Sequence, residues 1–262
     1  MRGTCPMCLK ENCDLQKSHL CPAAAFKRLR NPESPNPNPM WSTSKFALQT
    51  SNQTQDYLLC WDCEQRLRRN GEDWVMENCW HRDGRFPLQQ ALEGSPPEML
   101  TPNARLYRAC DIPAISIDQL AYFAASVFWR ASVHNWRTGK IRGETKGMLG
   151  PYEEQFRKYL MGEMQFPEDA ALWVAVTVSK TLDIAAGVFE PVKSRPDPTC
   201  KVHKFFLLGI SFLLFVGKRM DPSYRNMCFV RGWGNCIAIQ SILDVGIIRM
   251  WHARATKNPP RN

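Results

Sequence analysis

The sequence predicts an α+β protein in which a small zinc-stapled module precedes a larger mixed α+β module. Two observations carry this prediction. The first 85 residues are cysteine-rich, polar and irregular, with paired cysteines at metal-ligand spacing, whereas the rest of the chain alternates helical periodicity with β-rich runs. At 262 residues and 44% hydrophobic composition, the chain is long enough for one large domain or two modest ones.

A stretch rich in proline and glycine marks the predicted boundary. Residues 31–39 hold closely spaced prolines that exclude a helix, so this part of the first module is a loop. After Gly84, residues 86–102 include the run Gly94-Ser-Pro-Pro97 and are predicted to be a connector. We therefore predict a zinc-binding module over 1–85, a connector over 86–102 and an α+β module over 103–262.

Apolar periodicity predicts two helices in the larger module. Ser116 and Gln119 have the spacing of a capping box, and the apolar residues after them recur at three- and four-residue steps over about 20 residues. Gly150-Pro151 opens a second helix with Glu153 in its first turn. We assign no chemistry to three further residues, which are interpreted as exposed or as satisfied on a core helix: Trp129, Arg130 and His134.

Three apolar segments complete the larger module. Residues 172–178 are β-rich and predict a strand. Residues 205–216 form the longest apolar stretch and predict one central strand, with Gly209 as a possible bulge. A helix that spans a bilayer needs about 20 residues, so we expect no membrane span. Residues 237–251 return to a helix-like pattern.

Charge and cysteine content narrow the class of protein. The net charge is +9, and all of the excess lies in residues 101–262. Nucleic acid is therefore a reasonable partner, although a solvated basic surface explains the charge equally well. Eleven cysteines without an apolar N-terminal run predict reduced thiols in the cytoplasm rather than a disulfide framework.

The cysteine spacing is the strongest motif. Cys5-Pro-Met-Cys8 and Cys60-Trp-Asp-Cys63 are both C-x2-C pairs, and four thiolates form a closed tetrahedral zinc site that is structural rather than reactive. Accidental spacing in a cysteine-rich chain is the alternative. A different ligand set is also open, because three more potential ligands follow the first pair: Cys13, His19 and Cys21.

A knuckle, a long insertion and a C-x2-C pair that opens a helix are the layout of a treble clef. His19 follows the knuckle, residues 56–59 form a predicted strand that runs into Cys60, and Glu64 follows the last cysteine. Over residues 5–80 the chain resembles the HNH, or ββα-metal, nucleases. The resemblance implies a zinc-stapled hairpin and helix that hold one catalytic divalent cation, Mg²⁺ or Mn²⁺, and a reaction that cleaves DNA phosphodiesters.

The resemblance implies roles for individual residues. His19 lies where the family has its general base, and Glu64 lies where the family has an Asn or His ligand of the catalytic cation. Two departures stand out. Ser18 replaces the Asp that usually precedes the base, and the central Asn of the motif has only Asn52 and Asp56 as candidates. Loss of this carboxylate weakens the site unless Asp56, Asn52 or a residue from elsewhere replaces it, so we expect a site that is either altered or inactive.

Basic and aromatic residues surround the same module. As phosphate contacts we predict four of them: Lys27, Arg28, Arg66 and Arg69. The alternative is that they only keep a small helical region soluble. Three tryptophans are predicted either to stack on bases or to pack a helix against its neighbour: Trp61, Trp74 and Trp80.

Three functions compete at the level of sequence. The first is an HNH-type nuclease acting on nucleic acid, with DNA as the expected substrate, and by analogy such a bacterial protein would act in phage defence or restriction. The second is a catalytically inactive zinc-binding adaptor for nucleic acid or protein. The third is a subunit of a larger complex, with residues 103–262 buried against a protein partner or a second copy.

Overall fold

The computed structural model describes residues 1–33, 35–42, 47–138, 141–142, 145–178, 187–193 and 199–241. The chain combines helices with largely antiparallel sheets, which agrees with the predicted mixed α+β class. The helices are α1 (Ala23–Leu29), α2 (Trp61–Leu67), α3 (Asp73–Asn78), α4 (Pro87–Glu93), α5 (Ile117–Val133), α6 (Glu153–Met161) and α7 (Pro222–Asn226). The strands are β1 (Arg2–Gly3), β2 (Cys13–His19), β3 (Met40–Ser42), β4 (Ala47–Gln49), β5 (Gln55–Cys60), β6 (Met99–Leu100), β7 (Ala104–Arg108), β8 (Arg137–Thr138), β9 (Ile141–Arg142), β10 (Ala170–Val178), β11 (Val188–Lys193), β12 (Lys201–Leu207), β13 (Ile210–Val216) and β14 (Cys236–Ser241).

The N-terminal part is built on a hairpin of β2 and β5. The two strands are antiparallel, with Ser18 opposite Asp56 and His19 opposite Gln55, and β1 adds a short third strand. Strand β5 ends at Cys60 and the chain continues directly into α2. The predicted strand and helix around the second cysteine pair are therefore confirmed, and together they form a ββα arrangement.

Helix α2 continues into α3 through a π-helical turn over Arg68–Glu72. Single π turns inside α-helices are uncommon and concentrate at functional sites. Gly71 lies in this turn against α5, and a Cβ atom added to it would lie 2.8 Å from the backbone nitrogen of Phe123. The turn therefore packs directly on the backbone of α5, at a distance that only glycine permits.

A nine-stranded sheet forms most of the larger part, in the order β4-β3-β11-β12-β13-β10-β14-β7-β6. Helix α5 packs against it with nearly all of its side chains buried. The ring of Phe128 lies 4.9 Å from that of Phe205 on β12, and Phe123 contacts both Phe205 and Phe212. Helix α5 thus lies between the large sheet on one side and the α2–α3 segment on the other.

Several elements differ from the sequence predictions. The helix after Ser116 is present, but Ser116 makes no side-chain cap bond, and Gln119 donates instead to the carbonyl of Arg69 at 3.5 Å. The segment 205–216 is not one strand with a bulge. It contains the tight hairpin between β12 and β13, because Leu208 and Gly209 both have positive φ angles (45° and 87°) and reverse the chain.

The predicted helix over residues 237–251 is wrong in its described part. Residues 236–241 form β14, which pairs in parallel with β10, and residues 242–251 lie outside the described residues. The predicted connector over 86–102 also carries regular structure, namely α4 and β6. The loop over 31–39 is confirmed for its described residues, 31–33 and 35–39, and the strand over 172–178 is confirmed within β10.

One hydrophobic cluster runs through both parts of the chain. It contains Leu67 and Val75 from the α2–α3 segment, Phe123 from α5, and Ile237 from β14 of the large sheet. The predicted boundary near residue 85 remains a prediction, and the packing crosses it. None of the helices in the described part of the chain is long and apolar enough to span a bilayer.

Candidate metal centre and the adjoining cavity

The four paired cysteines lie together. The Sγ atoms of Cys5, Cys8, Cys60 and Cys63 are all within 4.8 Å of one another. The sulfurs of Cys8 and Cys60 are 3.7 Å apart. A tetrahedral Zn–S site with bonds of about 2.3 Å has sulfurs about 3.8 Å apart, so the spacing fits zinc. These cysteines can bind a structural Zn²⁺, as the spacing of the two pairs predicts.

The knuckle and the hairpin bring the sulfurs together. The Cys60 backbone N–H donates to the Cys5 sulfur at 3.4 Å, and Leu9 closes the knuckle turn with a φ of 63°. A hydrogen bond from the Cys63 thiol lowers the pKa of Cys5, which favours the thiolate that a metal requires. The carbonyl of Met7, between the first two cysteines, accepts a hydrogen bond from buried Arg157 of α6 at 2.9 Å.

The other candidate ligands lie outside this cluster. Cys13, His19 and Cys21 are not part of the four-sulfur group, and burial raises the pKa of the Cys21 thiol. All eleven cysteines belong to the described ranges, and none of them is placed in a disulfide there. His19 is therefore available for a role other than zinc binding.

A cavity of about 480 Å³ lies at the far end of the hairpin. It brings together His19 at the end of β2, Glu64 in the first turn of α2, Glu72 in the π turn, and Arg130 of α5. None of the four cysteines of the metal centre lines it. Its other lining residues are Pro22, Ala23, Ala24, Arg28, Arg68, Asp73, Met76, Glu77 and His81.

His19 carries a perturbed imidazole. Burial, together with the positive charge of Arg130, lowers its pKa, and the opposing effect of Glu72 is weaker. The imidazole is therefore neutral at neutral pH, which is the form that accepts a proton. The backbone of the same residue is held from α5, because the Arg130 Nη1 donates to the His19 carbonyl at 2.9 Å.

Glu64 lies in the same cavity and is held by Ser18, the residue at which the sequence departs from the HNH motif. The Ser18 hydroxyl donates to Glu64 Oε1 and accepts from the Leu59 N–H at 3.2 Å. Burial raises the pKa of Glu64, while the positive charge of Arg130 and the Ser18 hydrogen bond lower it. Ser18 is 1% exposed, so it orients Glu64 from below the cavity rather than contacting solvent.

Two residues of the cavity, Arg130 and Glu72, are not among the site residues that the sequence predicts. Arg130 is 1% exposed, and its Nη2 donates to Glu72 Oε1 at 2.7 Å. The sequence contains a signal for it, since Arg130 lies three residues after Val127 and seven after Phe123, on the apolar stripe of α5. A charged residue on an apolar stripe needs a buried partner. The partner could not be predicted, because it lies 58 residues away.

Asp56 and Asn52 lie elsewhere. The Asp56 carboxylate contacts the imidazole of His134, with 2.9 Å between Oδ2 and Nε2. His134 is the residue directly after α5. Asn52 is exposed in the loop before β5 and bonds the Thr50 hydroxyl through its backbone N–H. Neither residue lines the cavity that contains His19 and Glu64.

The four predicted phosphate contacts fall in different places. Arg28 lines the cavity, but its Nη1 donates to the carbonyls of Met76 and Trp80 and thereby caps the end of α3. Lys27 is exposed and outside the cavity. Arg66 and Arg69 line a second cavity beside the metal centre, together with Cys8, Cys60 and Cys63. Of the three tryptophans, Trp61 is exposed, whereas Trp74 and Trp80 pack against the core.

The donor chemistry of the first cavity suits a hard cation. Glu64 and Glu72 offer carboxylate oxygens, which Mg²⁺ and Mn²⁺ prefer. Within the described ranges, the four cysteines are the only group of three or more His, Cys, Asp or Glu ligands that converge within 4.8 Å. A cation held here would therefore have one or two carboxylates as protein ligands and take its remaining ligands from water and phosphate, which is common for Mg²⁺.

Comparison of the chain with protein-family models, with curated proteins and with solved structures finds no match.

Proposed function

We propose that this chain is a metal-dependent endonuclease of the HNH type that hydrolyses DNA phosphodiesters. One observation supports the proposal most. His19 and Glu64, which the resemblance implies as base and metal ligand, line one cavity that the four cysteines do not enter. A closed four-sulfur centre has no open position for substrate, so a separate site for chemistry is what a nuclease of this type needs.

His19 is the proposed general base. Its lowered pKa keeps the imidazole neutral at neutral pH, so it can take a proton from the water that attacks phosphorus. The hydroxide formed in this way bonds to phosphorus as the bond to the leaving oxygen breaks. The hydrogen bond from Arg130 to the His19 carbonyl limits rotation of the residue that carries the base.

Glu64 and Glu72 are the proposed protein ligands of the divalent cation. When bound, that cation would polarise the phosphate and stabilise the charge on the leaving oxygen. Ser18 would hold one oxygen of Glu64 through its hydroxyl, which leaves the other oxygen for the cation. Glu72 would supply the carboxylate that the hairpin lacks at Ser18.

Basic residues near the two cavities are the proposed DNA contacts. Arg68 is exposed at the cavity of His19, and Arg66 and Arg69 lie on the other side of the same helical segment. Such residues bind the phosphate backbone without reading sequence, so affinity should fall as salt rises. Lys27 would extend this surface from α1.

The test is plasmid nicking by purified protein with Mg²⁺ or Mn²⁺. We expect His19→Ala to lower the nicking rate by about 100-fold or more, because general-base catalysis contributes on that order. Zinc content should stay at one per chain. His134→Ala is the matched control, since His134 is half-buried but lies outside the cavity, and it should nick as the wild type does. A wild type that cuts neither DNA nor RNA with either cation would refute the proposal.

A non-catalytic zinc-binding adaptor is the second candidate, and Ser18 favours it. The position that carries a metal-binding Asp in the HNH family here carries a buried hydroxyl that bonds Glu64 instead. An adaptor would bind nucleic acid in a salt-dependent way that survives His19→Ala. It would show no strand cleavage with either cation.

A further inference from the structure

Arg130 is a charged side chain in a position that the fold otherwise fills with apolar residues. It lies on α5, between Trp129 and Ala131, and only 2% of its side chain is exposed. Burying a guanidinium that is neither paired nor hydrogen-bonded costs on the order of several kcal/mol. A residue of this kind needs a specific structural or functional reason.

The contacts of Arg130 join two elements of the proposed site. Nη1 donates to the His19 carbonyl at 2.9 Å, at the end of β2, and Nη2 donates to Glu72 Oε1 at 2.7 Å, in the π turn. The planar fork of arginine holds two acceptors at a fixed separation, which a lysine cannot do. The end of β2 and the π turn, which are far apart in sequence, are therefore held at a fixed separation by one side chain of α5.

The peptide between His19 and Leu20 is held on both sides. Its N–H, on Leu20, donates to the Thr54 carbonyl at 3.0 Å, and its carbonyl, on His19, accepts from Arg130. Without Arg130 the carbonyl side of this peptide would lose this hydrogen bond, and the Thr54 bond would remain. The imidazole projects from this peptide, so its freedom depends on how firmly the peptide is held.

The helix backbone that carries Arg130 is itself anchored. The backbone carbonyl of Arg130 accepts a hydrogen bond from Trp136 Nε1 at 2.7 Å, and Trp136 is 1% exposed. Two residues further along α5, the Ser132 hydroxyl donates to Glu153 at 2.6 Å. The end of α5 is therefore fixed in place, and a rigid support is what a positioning residue requires.

We propose that Arg130 is a positioning residue that fixes the backbone of His19 and the carboxylate of Glu72, so that α5 of the larger module is part of the reaction site. The consequence for catalysis rests on the proposed nuclease function, whereas the hold on the His19 peptide does not. Arg130 lines the cavity but only 2% of its side chain is exposed, so it acts through His19 and Glu72 and does not contact DNA.

Arg157 provides a matched control. It is also a buried arginine of the larger module, and its Nη1 donates to a carbonyl of the N-terminal part, that of Met7, at 2.9 Å. Its acceptor lies in the knuckle of the metal centre rather than beside His19. Arg157→Gln should lower thermal stability and zinc retention, whereas the kcat for nicking by its zinc-loaded form should change by less than about threefold.

The first measurement is amide hydrogen exchange at Leu20 in the zinc-loaded full chain. We expect the Leu20 amide to exchange about 10-fold faster in Arg130→Gln, because about 1.4 kcal/mol of local stability corresponds to that factor. The Leu15 amide, bonded to the Met1 carbonyl near the other end of β2, should keep its rate. Arg130→Lys keeps the positive charge and serves if the neutral variant does not fold. It should also raise the exchange rate of the Leu20 amide. Unchanged protection of Leu20 in a folded variant would overturn the proposal.

The second measurement is steady-state nicking. Arg130→Gln and Arg130→Lys should lower kcat by about 10-fold or more, since a small misplacement of a catalytic group costs on the order of 10- to 100-fold. The KM for DNA should change by less than about twofold, because Arg130 does not contact DNA. A raised KM with an unchanged kcat would show that Arg130 binds substrate and would overturn the positioning role. If the wild type cuts neither DNA nor RNA with either cation, the nuclease proposal fails, and the exchange of Leu20 alone decides the role of Arg130.

Discussion

At the scale of single residues, Glu64 shows how the site is made at some cost to stability. Burial raises its pKa, which means that the folded protein disfavours the ionised carboxylate relative to the unfolded chain. Ser18 offsets part of this by donating a hydrogen bond to the carboxylate. A buried carboxylate beside a histidine and a second carboxylate is the kind of perturbed group that concentrates at functional sites.

A stability measurement on Glu64→Gln follows from the direction of this shift. A carboxyl with a raised folded-state pKa destabilises the protein above that pKa, and the effect disappears as pH falls below the unfolded value of 4.5. The glutamine cannot ionise but can still accept from Ser18. We therefore expect the variant to be more stable than the wild type near pH 8, with a smaller gain near pH 5, in urea unfolding at equal zinc content. It should also fail to nick DNA, and a variant less stable than the wild type near pH 8 would contradict the prediction.

The sequence identifies those residues whose spacing along the chain follows a known motif. The four cysteines come in two C-x2-C pairs, so the order of residues along the chain is enough to locate them. His19 and Glu64 are candidates only because the resemblance to the HNH nucleases implies them. Arg130 and Glu72 follow no such motif. Their roles depend on a contact between α5 and the π turn, which no local spacing encodes.

At the scale of elements, the π turn between α2 and α3 is the feature that builds the cavity. It adds an extra residue to the helix, and it places Glu72 against Arg130 while Gly71 lies on the backbone of α5. The sequence after Cys63 predicts a helix but not this turn, because a π turn is stabilised by the element it packs against. Gly71 is the one residue of the π turn whose type points to a close contact.

Gly71→Ala tests whether the close approach matters. A Cβ atom would lie 2.8 Å from the Phe123 nitrogen and 2.9 Å from its Cα, and backbone atoms of a buried helix cannot move aside cheaply. We expect a loss of about 1–3 kcal/mol in the free energy of unfolding, as for overpacked cores, and slower nicking as Glu72 shifts away from Arg130.

Gly94→Ala is the control for that experiment. Gly94 ends α4 with an ordinary φ of −74°, and the nearest atom to an added Cβ is the Gln90 carbonyl oxygen at 3.3 Å. Its unfolding free energy should change by less than about 1 kcal/mol. If Gly71→Ala is no less stable than Gly94→Ala, the π turn does not depend on its contact with α5.

Two wrongly predicted segments show where hydrophobic periodicity no longer distinguishes a strand from a helix. Residues 205–216 and 237–239 are almost entirely apolar on both faces because their strands lie inside the large sheet, with β14 paired in parallel with β10. A strand buried on both faces loses the alternation that would distinguish it from a buried helix. The hairpin at Leu208–Gly209 is hidden for the same reason, since Leu208 is fully buried and has no turn-forming character.

At the scale of the whole molecule, the N-terminal part and the larger part share one core. The cluster that contains Leu67 and Val75 also contains Phe123 and Phe128 of α5. Arg130 and Arg157 add buried hydrogen bonds from the larger part to the carbonyls of His19 and Met7. Composition predicts two modules because it changes sharply near residue 85, but composition does not report which surfaces face each other.

Division of the chain in the loop after α4 tests this shared core. We expect residues 1–94 alone, with zinc, to bind the metal but to lack a cooperative unfolding transition, because the apolar face of α2–α3 would lie in water instead of against α5. Mixing or coexpression with residues 95–262 should restore both a cooperative transition and protection of the Leu20 amide, since α5 brings Arg130 back to the His19 carbonyl. Arg130→Gln in the second fragment should restore the transition but not that protection. A zinc-loaded 1–94 fragment that unfolds cooperatively, with Leu20 already protected, would show instead that the N-terminal part is an independent domain and that its site needs nothing from α5.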